Sequence, residues 1–264
     1  MCRFVAYLGQ PITLDTLVCQ PPHSLLRQSQ HAAEAQTDTH GDGFGLGWYG
    51  TPTDPAVYRD AAPAWSSKKL RTLGAKVRSG LFFAHVRAAT DGPSTHDNCH
   101  PFQLGRHLFM HNGQIGGYAG VRGDLEALLP DHLVEYRRGS TDSELMFLLA
   151  IARMELGEDP IRAVVYVFDE VARRVKRAGV IQPLRFCAAL ADGKVLYAFR
   201  LATDKHPPSL YLRGDEQGTV IASEPLDDDR AAWTRVPTGA VVRVTRSAYL
   251  VQQVDALELQ NTVF

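Results

Sequence analysis

Across its 264 residues the sequence has no apolar run approaching the ~18 residues that a membrane-spanning helix requires. Its four cysteines, Cys2, Cys19, Cys99 and Cys187, stand far apart and form no CxxC pair. That spacing excludes a zinc ribbon and a thioredoxin-like redox motif, and it suits a reducing compartment. Charge of one sign is not in excess: 28 Lys and Arg stand against 29 Asp and Glu, a formal −1. Such a balance gives no electrostatic footing for broad nucleic-acid or membrane binding. The first residues, Met1 to Pro11, lack the basic region, long apolar region and small-residue cleavage site of a secretory signal. Internal repeats and low-complexity tracts are missing as well. What is there is ordinary for a globular protein, 45% hydrophobic and 22% charged. The expectation is a cytoplasmic protein that builds its core without metal or disulfide staples.

Local patterning divides the chain into three stretches. Arg3–Leu8 reads as a buried strand, and further strands are expected at Gly45–Tyr49, Leu81–Ala88 and His107–Met110. Helical patterning covers Leu25–Ala33 and Lys68–Val77, and the polar segment Thr51–Pro63 reads as a surface excursion. Thr141-Asp142-Ser143-Glu144 has the spacing of a capping box ahead of the apolar run Leu145–Met154. Ile161, Val164, Val165, Phe168, Val171 and Val175 then share one helical face. Beyond Leu184 the pattern turns to strands, with Phe186–Leu190 and Val195–Leu201 flanking an Asp192-Gly193 turn. Strands are also expected at Ser209–Leu212, Thr219–Ser223, Ala240–Val244 and Ala248–Val254. Strands on either side of a central helical block predict sheets covered by helices, an α+β layered fold. No compositional shift marks a boundary, so residues 1–264 read as a single domain.

Cys2 holds the position richest in chemistry. Excision of an initiator Met ahead of so small a residue would leave Cys2 with a thiol of pKa ~8.5 and a free α-amine of pKa ~8. Nucleophile and base would then sit on one residue, an arrangement suited to acyl transfer. The alternative is a small buried residue at the start of a strand. Acyl transfer also needs oxyanion donors, worth roughly 3–4 kcal/mol for one donor. His111-Asn112-Gly113-Gln114-Ile115 follows a predicted strand and is either a plain Asn-Gly turn or a pair of donors, the Asn112 amide and the Gly113 N–H. Arg87 closes an apolar strand, where it either snorkels to water or offers its planar fork to a carboxylate. Asp142, in the first helical turn after its cap, either offsets the helix dipole or faces a substrate ammonium.

Six motifs together resemble the class II glutamine amidotransferases, N-terminal-nucleophile (Ntn) enzymes with Cys directly after the initiator Met. They are Met1-Cys2-Arg3, Gly41-Asp42-Gly43-Phe44-Gly45, Ala84-His85-Val86-Arg87-Ala88-Ala89-Thr90, Asn98-Cys99-His100-Pro101-Phe102, His111-Asn112-Gly113-Gln114-Ile115 and Thr141-Asp142-Ser143-Glu144. They occur in the family's order over roughly the first 145 residues. Ile221-Ala222-Ser223-Glu224-Pro225-Leu226 with Trp233 also resembles the family's stand-alone branch, which includes YafJ-type proteins and the γ-glutamyl hydrolase of ergothioneine biosynthesis. The resemblance implies a four-layer αββα sandwich and cleavage of glutamine or a γ-glutamyl amide through a thioester. It implies Cys2 as nucleophile, Asn112 and Gly113 as oxyanion hole, Arg87 at the substrate α-carboxylate and Asp142 at its α-ammonium. Thr90 and His100 match pocket-lining positions. Two departures bear on pocket shape and on the fate of ammonia. Many members have Trp and His where this sequence has Ala88 and Asp91, and 264 residues leave no room for a fused synthase domain.

A metal site is the rival reading. His96 and His100 are four apart, as are His107 and His111, with Asp91 and Asp97 nearby. Yet the region reads as loop and strand, so the spacing does not place ligands on a helix face as HExxH would. The glycine-rich Gly41–Gly47 segment fits neither GxGxxG nor a P-loop, and its glycines are expected to make tight turns beside a pocket. The expectation is therefore an amidohydrolase that uses no metal or organic cofactor and takes a small-molecule γ-glutamyl substrate. Its alternatives are a glutaminase subunit handing ammonia to a separate synthase partner and a catalytically idle relative.

Overall fold

The computed structural model describes residues 2–35, 37–50, 54–89, 93–204 and 206–254. In chain order its elements begin with β1 (Arg3–Thr13), α1 (Asp15–Val18), α2 (Leu25–Gln28), β2 (Phe44–Tyr49), β3 (Pro55–Asp60), α3 (Lys68–Lys76) and β4 (Arg78–Val86). The middle of the chain forms β5 (Phe102–Leu104), β6 (His107–Gln114), α4 (Tyr118–Glu126), α5 (Asp131–Val134), α6 (Asp142–Glu155) and α7 (Pro160–Arg177). The remainder forms β7 (Arg185–Ala191), β8 (Leu196–Ala202), β9 (Tyr211–Gly214), β10 (Gly218–Ala222), β11 (Thr234–Arg235), β12 (Ala240–Val244) and β13 (Tyr249–Gln253).

The strands pair antiparallel into a seven-stranded sheet ordered β11-β9-β10-β1-β4-β2-β3 and a six-stranded sheet ordered β13-β12-β8-β7-β6-β5. Period-two alternation along β1 shows how the layers arise. Phe4, Ala6 and Leu8 face the second sheet, joining Phe83 of β4, Met110 of β6, Ala189 of β7 and Val242 of β12 in one buried cluster. Val5 and Tyr7 face the other way, packing with Leu14, Val18, Leu25 and Leu70 from the α1–α3 side. On the outer face of the six-stranded sheet, Phe109, Phe186 and Phe199 pack against Leu145 and Phe147 of α6 and Val164, Phe168 and Val171 of α7. Helices, sheet, sheet, helices: this is the expected αββα sandwich, an α+β fold.

Two helices show why the middle of the chain is helical. In α7 the Asp159 carboxylate caps the N–H groups of Ile161 and Arg162, Pro160 starts the first turn, and Arg174, Lys176 and Arg177 face the C-terminal dipole. In α6 the Thr141 hydroxyl accepts from the Glu144 N–H at 3.2 Å. The reciprocal half of the capping box is missing, because the Glu144 carboxylate takes the N–H groups of Arg138 and Gly139 at 3.0 and 2.7 Å. It ties down the loop ahead of the helix rather than the cap itself.

Three expectations need correction. Helix at Leu25–Ala33 shrinks to the single turn Leu25–Gln28, and the His40 N–H donates to the Ser29 carbonyl beyond it. The segment expected to be a surface excursion contains β3, an edge strand whose proline and charges suit an edge. The glycines after Gly43 lie within β2 rather than in turns. A Cβ at Gly45 would sit 2.0 Å from the His100 carbonyl oxygen, so its bareness lets the Cys99–Pro101 segment lie against the strand.

Candidate functional site

Register along β1 and β4 brings the first two candidates together. Arg3 pairs with Val86, so Cys2 emerges beside Arg87 and Ala88. The half-buried Cys2 thiol donates to the Ala88 carbonyl at 3.5 Å. Burial pushes this thiol above its usual range, opposed by the Ala88 contact and by the positive charges of Arg87 and Arg3.

Arg87 is buried and does not snorkel to water. Its backbone N–H donates to Gly43 at 2.8 Å and its carbonyl accepts from the Asp42 N–H at 3.0 Å. The guanidinium reaches the carbonyls of Asp42 and Pro93 at 3.4 and 3.3 Å. The Asp42 carboxylate in turn accepts from the Ala89 N–H at 2.8 Å and the Ser94 hydroxyl at 3.0 Å. Asp42 thus clips both sides of the Arg87 loop. Asn98 ties the same loop to the segment ahead of α6, donating to the Pro93 carbonyl and accepting from the Ser140 N–H at 2.8 Å.

Asp142 opens α6, and its Oδ2 accepts the Ile115 N–H at 2.8 Å, fixing the segment after Asn112-Gly113 to the helix start. Its Oδ1 takes the Ser143 hydroxyl at 3.1 Å, and that hydroxyl lies 2.8 Å from His111 Nδ1. Gly113 has φ +147°, and a Cβ there would come within 1.9 Å of the Arg185 carbonyl oxygen on β7. Only glycine fits this point in the ladder.

His100 is buried and stacks on His85 at a centroid distance of 4.2 Å, with Phe102 edge-on at 4.5 Å. Among the described residues neither nitrogen of either ring makes a hydrogen bond of ordinary geometry, the His111 backbone being only a loose polar neighbour of His85. Burial holds both imidazoles neutral, His85 down to about 3 and His100 well below the usual histidine range. The four histidines of the metal reading do not converge: His96 is exposed beside Asp97, His107 is half-buried, and His100 and His111 are packed inside. Among the described residues, no group of three or more His, Cys, Asp or Glu is arranged to hold a metal ion.

One cavity of about 1010 Å³ gathers the candidates, with Cys2, Arg87, His100, Gly113 and Asp142 all on its wall. Thr90 lies outside the described residues. Asn112 is fully buried behind the wall, its amide 2.7 Å from the Ser223 hydroxyl. Ser223 is the residue whose role the sequence did not disclose, although its Ser-Glu-Pro motif was conspicuous. Glu224 beside it meets Arg3 in a buried ion pair at 3.1 Å and accepts the N–H groups of Ala33 and Glu34, each at 2.9 Å. No helix among the described residues is long and apolar enough to cross a membrane.

Comparison with known proteins agrees with this geometry. Residues 17–207 match the sequence profile of the glutamine amidotransferases class-II. The probable glutamine amidotransferase DUG3 of Saccharomyces cerevisiae is 31% identical over 96% of this chain and 84% of its own length. The gamma-glutamyl-hercynylcysteine sulfoxide hydrolase of Mycolicibacterium smegmatis is 31% identical over 95% of this chain and 98% of its own. A solved structure of a glutamine aminotransferase class-II domain protein from Silicibacter pomeroyi superposes with a TM-score of 0.76 at 33% identity, covering 96% of this chain and 100% of that one. With the fold, the cavity and these likenesses in agreement, the chain belongs to the class II glutamine amidotransferases.

Proposed function

We propose that this class II amidotransferase acts in the cytoplasm as one domain over residues 1–264, hydrolysing glutamine or a γ-glutamyl amide through a thioester on Cys2. The observation that carries this reading is the shared cavity, which sets a thiol, a cation and an anion around one space. A glutamyl head group has both a carboxylate and an ammonium. Arg87 and Asp142 would select it over simple amides, which lack one charge or both.

Removal of Met1 frees the Cys2 amine. An unperturbed thiol with pKa ~8.5 is only about 3% thiolate at pH 7, and burial of this one reduces that share. A base is therefore required, and the amine on the same residue supplies it. It takes the thiol proton as Sγ attacks the γ-carbonyl carbon, and the carbonyl oxygen becomes an oxyanion facing Gly113 N–H and the Asn112 amide. The amine returns the proton to the departing nitrogen, leaving the glutamyl thioester. Water then attacks the thioester by the same route, its proton passes through the amine to the thiolate, and glutamate leaves. The likeness to a gamma-glutamyl-hercynylcysteine sulfoxide hydrolase supports an outright hydrolase over a subunit that delivers ammonia.

The test is mass spectrometry of the N-terminal peptide after native-purified protein meets a glutamine-like diazo-ketone. A peptide beginning at Cys2 and carrying the adduct is expected, together with loss of nearly all turnover in Cys2→Ala and Cys2→Ser. An intact Met1 in active enzyme, or near-normal turnover by Cys2→Ala, overturns the mechanism.

A further inference from the structure

Ser223 occupies the seam between the two sheets. It follows β10 of the seven-stranded sheet, and its hydroxyl oxygen accepts the Phe4 N–H at 3.0 Å, two residues along β1 from Cys2. The same oxygen lies 2.7 Å from the side-chain amide of Asn112 on β6 of the six-stranded sheet. Its backbone is held just as firmly, by Ser223 N–H to the Phe4 carbonyl at 3.0 Å and by the Ser209 hydroxyl to the Ser223 carbonyl at 2.8 Å. A single buried oxygen therefore joins the nucleophile's strand to the oxyanion strand.

The orientation of the Asn112 amide decides what this oxygen does. With Nδ2 donating to Ser223, the hydroxyl accepts twice, and among the described residues its own proton has no acceptor and the buried Asn112 Oδ1 has no partner. The two ends of an amide occupy the same volume, and the hydrogen-bond network assigns them. Turning this amide over lets the Ser223 hydroxyl donate to Oδ1 while it still accepts from Phe4. The group left without a partner is then Nδ2, a donor, and a buried donor awaiting an acceptor is what an oxyanion hole requires.

We propose that Ser223 is a positioning residue: its hydroxyl, anchored on the Phe4 N–H, donates to Asn112 Oδ1 and so aims Nδ2 at the oxygen that becomes negative. This rests on the reading of Asn112 as an oxyanion donor. Ser223 itself touches no substrate. Its removal lets the amide turn its oxygen toward the oxyanion, which repels rather than stabilises the developing charge.

The test is a double-mutant cycle of Ser223→Ala with Asn112→Ala, following glutamine turnover alongside inhibition by the product glutamate. Ser223→Ala is expected to lower kcat by 10- to 100-fold with the glutamate inhibition constant within twofold of wild type. On the Asn112→Ala background it is expected to cost less than twofold. Ser223→Cys keeps the shape and weakens the donor, so kcat should fall at least fivefold with glutamate inhibition intact even where Ser223→Ala fails to fold. An equal loss on both backgrounds, a parallel loss of glutamate affinity, or a normal kcat in Ser223→Cys overturns the proposal. If Asn112→Ala itself costs nothing, the oxyanion assignment has failed first, and the proposal falls with it.

Discussion

Gly113→Ala tests the geometry of the site and the role assigned to it together. The added Cβ would lie 1.9 Å from the Arg185 carbonyl oxygen, whereas ordinary contact starts at 3.4 Å, so β6 and β7 must part by about 1.5 Å there. The φ of +147° adds backbone strain of about 1–3 kcal/mol for a residue with a side chain. Gly113 pairs with Phe186 and Gln114 with Arg185, and parting them weakens one or two ladder hydrogen bonds at about 1 kcal/mol each. The sum, about 2–5 kcal/mol, is a large share of the ~5–15 kcal/mol that holds a typical domain folded. Urea unfolding should show a lower midpoint at unchanged slope. Misplacing the Gly113 N–H should also cost turnover by about 10²- to 10³-fold, the usual loss for one oxyanion donor. A variant within about 0.5 kcal/mol of wild type that turns over glutamine normally would refute both the contact and the role.

Further expectations follow from the same contacts. Asp142→Asn keeps an acceptor for the Ile115 N–H and removes the charge. KM for glutamine should therefore rise more than tenfold with a smaller change in kcat, and an unchanged KM would remove Asp142 from head-group recognition. Glu224→Ala strands the buried Arg3 and frees the Ala33 and Glu34 N–H groups, so chemical denaturation should report a loss of about 3–5 kcal/mol. Acid should destabilise the fold through its buried histidines. His85 titrates at about 3 when folded against ~6.5 unfolded, so its contribution is complete above pH ~6.5 and drains away as pH falls toward 3, about 2 kcal/mol being lost by pH 5. His100 and His111 shift in the same direction, while Asp169, lifted to about 6 by burial, acts in the opposite sense. Melting temperatures from pH 7.5 to 5 should fall, and His85→Phe should flatten that slope; an equally steep slope in the variant would refute the assignment.

How much of this was legible in the sequence depended on whether the signal was local. The face of α7, the Asp192-Gly193 hairpin and β12 follow from periodicity and turn chemistry alone, and they formed where expected. The edge strand β3 was hidden because proline and charge, which suit an edge, also suit a loop. α4, with glycines at 120 and 123, has weak intrinsic helicity and owes its place to Val121 and Leu125 packing into the helical layer. The motif residues Cys2, Arg87, Gly113 and Asp142 could be picked out from their order along the chain, but their convergence is a property of sheet pairing. Ser223 and Asp42 act through partners more than forty positions away, at Asn112 and Ala89, and no spacing in the sequence encodes such contacts.

The site draws on separate layers, which explains its cross-links. Cys2 precedes β1 in one sheet, Gly113 lies one residue before the end of β6 in the other, Asp142 begins α6, and Arg87 trails β4. Apolar packing between the sheets is non-directional and tolerates small slides, whereas oxyanion stabilisation demands donors placed within a few tenths of an ångström. Directional bonds supply what packing lacks: Ser223 ties β1 to Asn112, Asp142 ties α6 to Ile115, and Asp42 ties β4's end to the segment before β2. Ser223 and Asn112 are fully buried while Asp142 and Asp42 are only half-buried, and each bond spans two elements that carry candidate functional groups. That coincidence argues that this polar network fixes relative position, and that stability is supplied by the apolar layers around it.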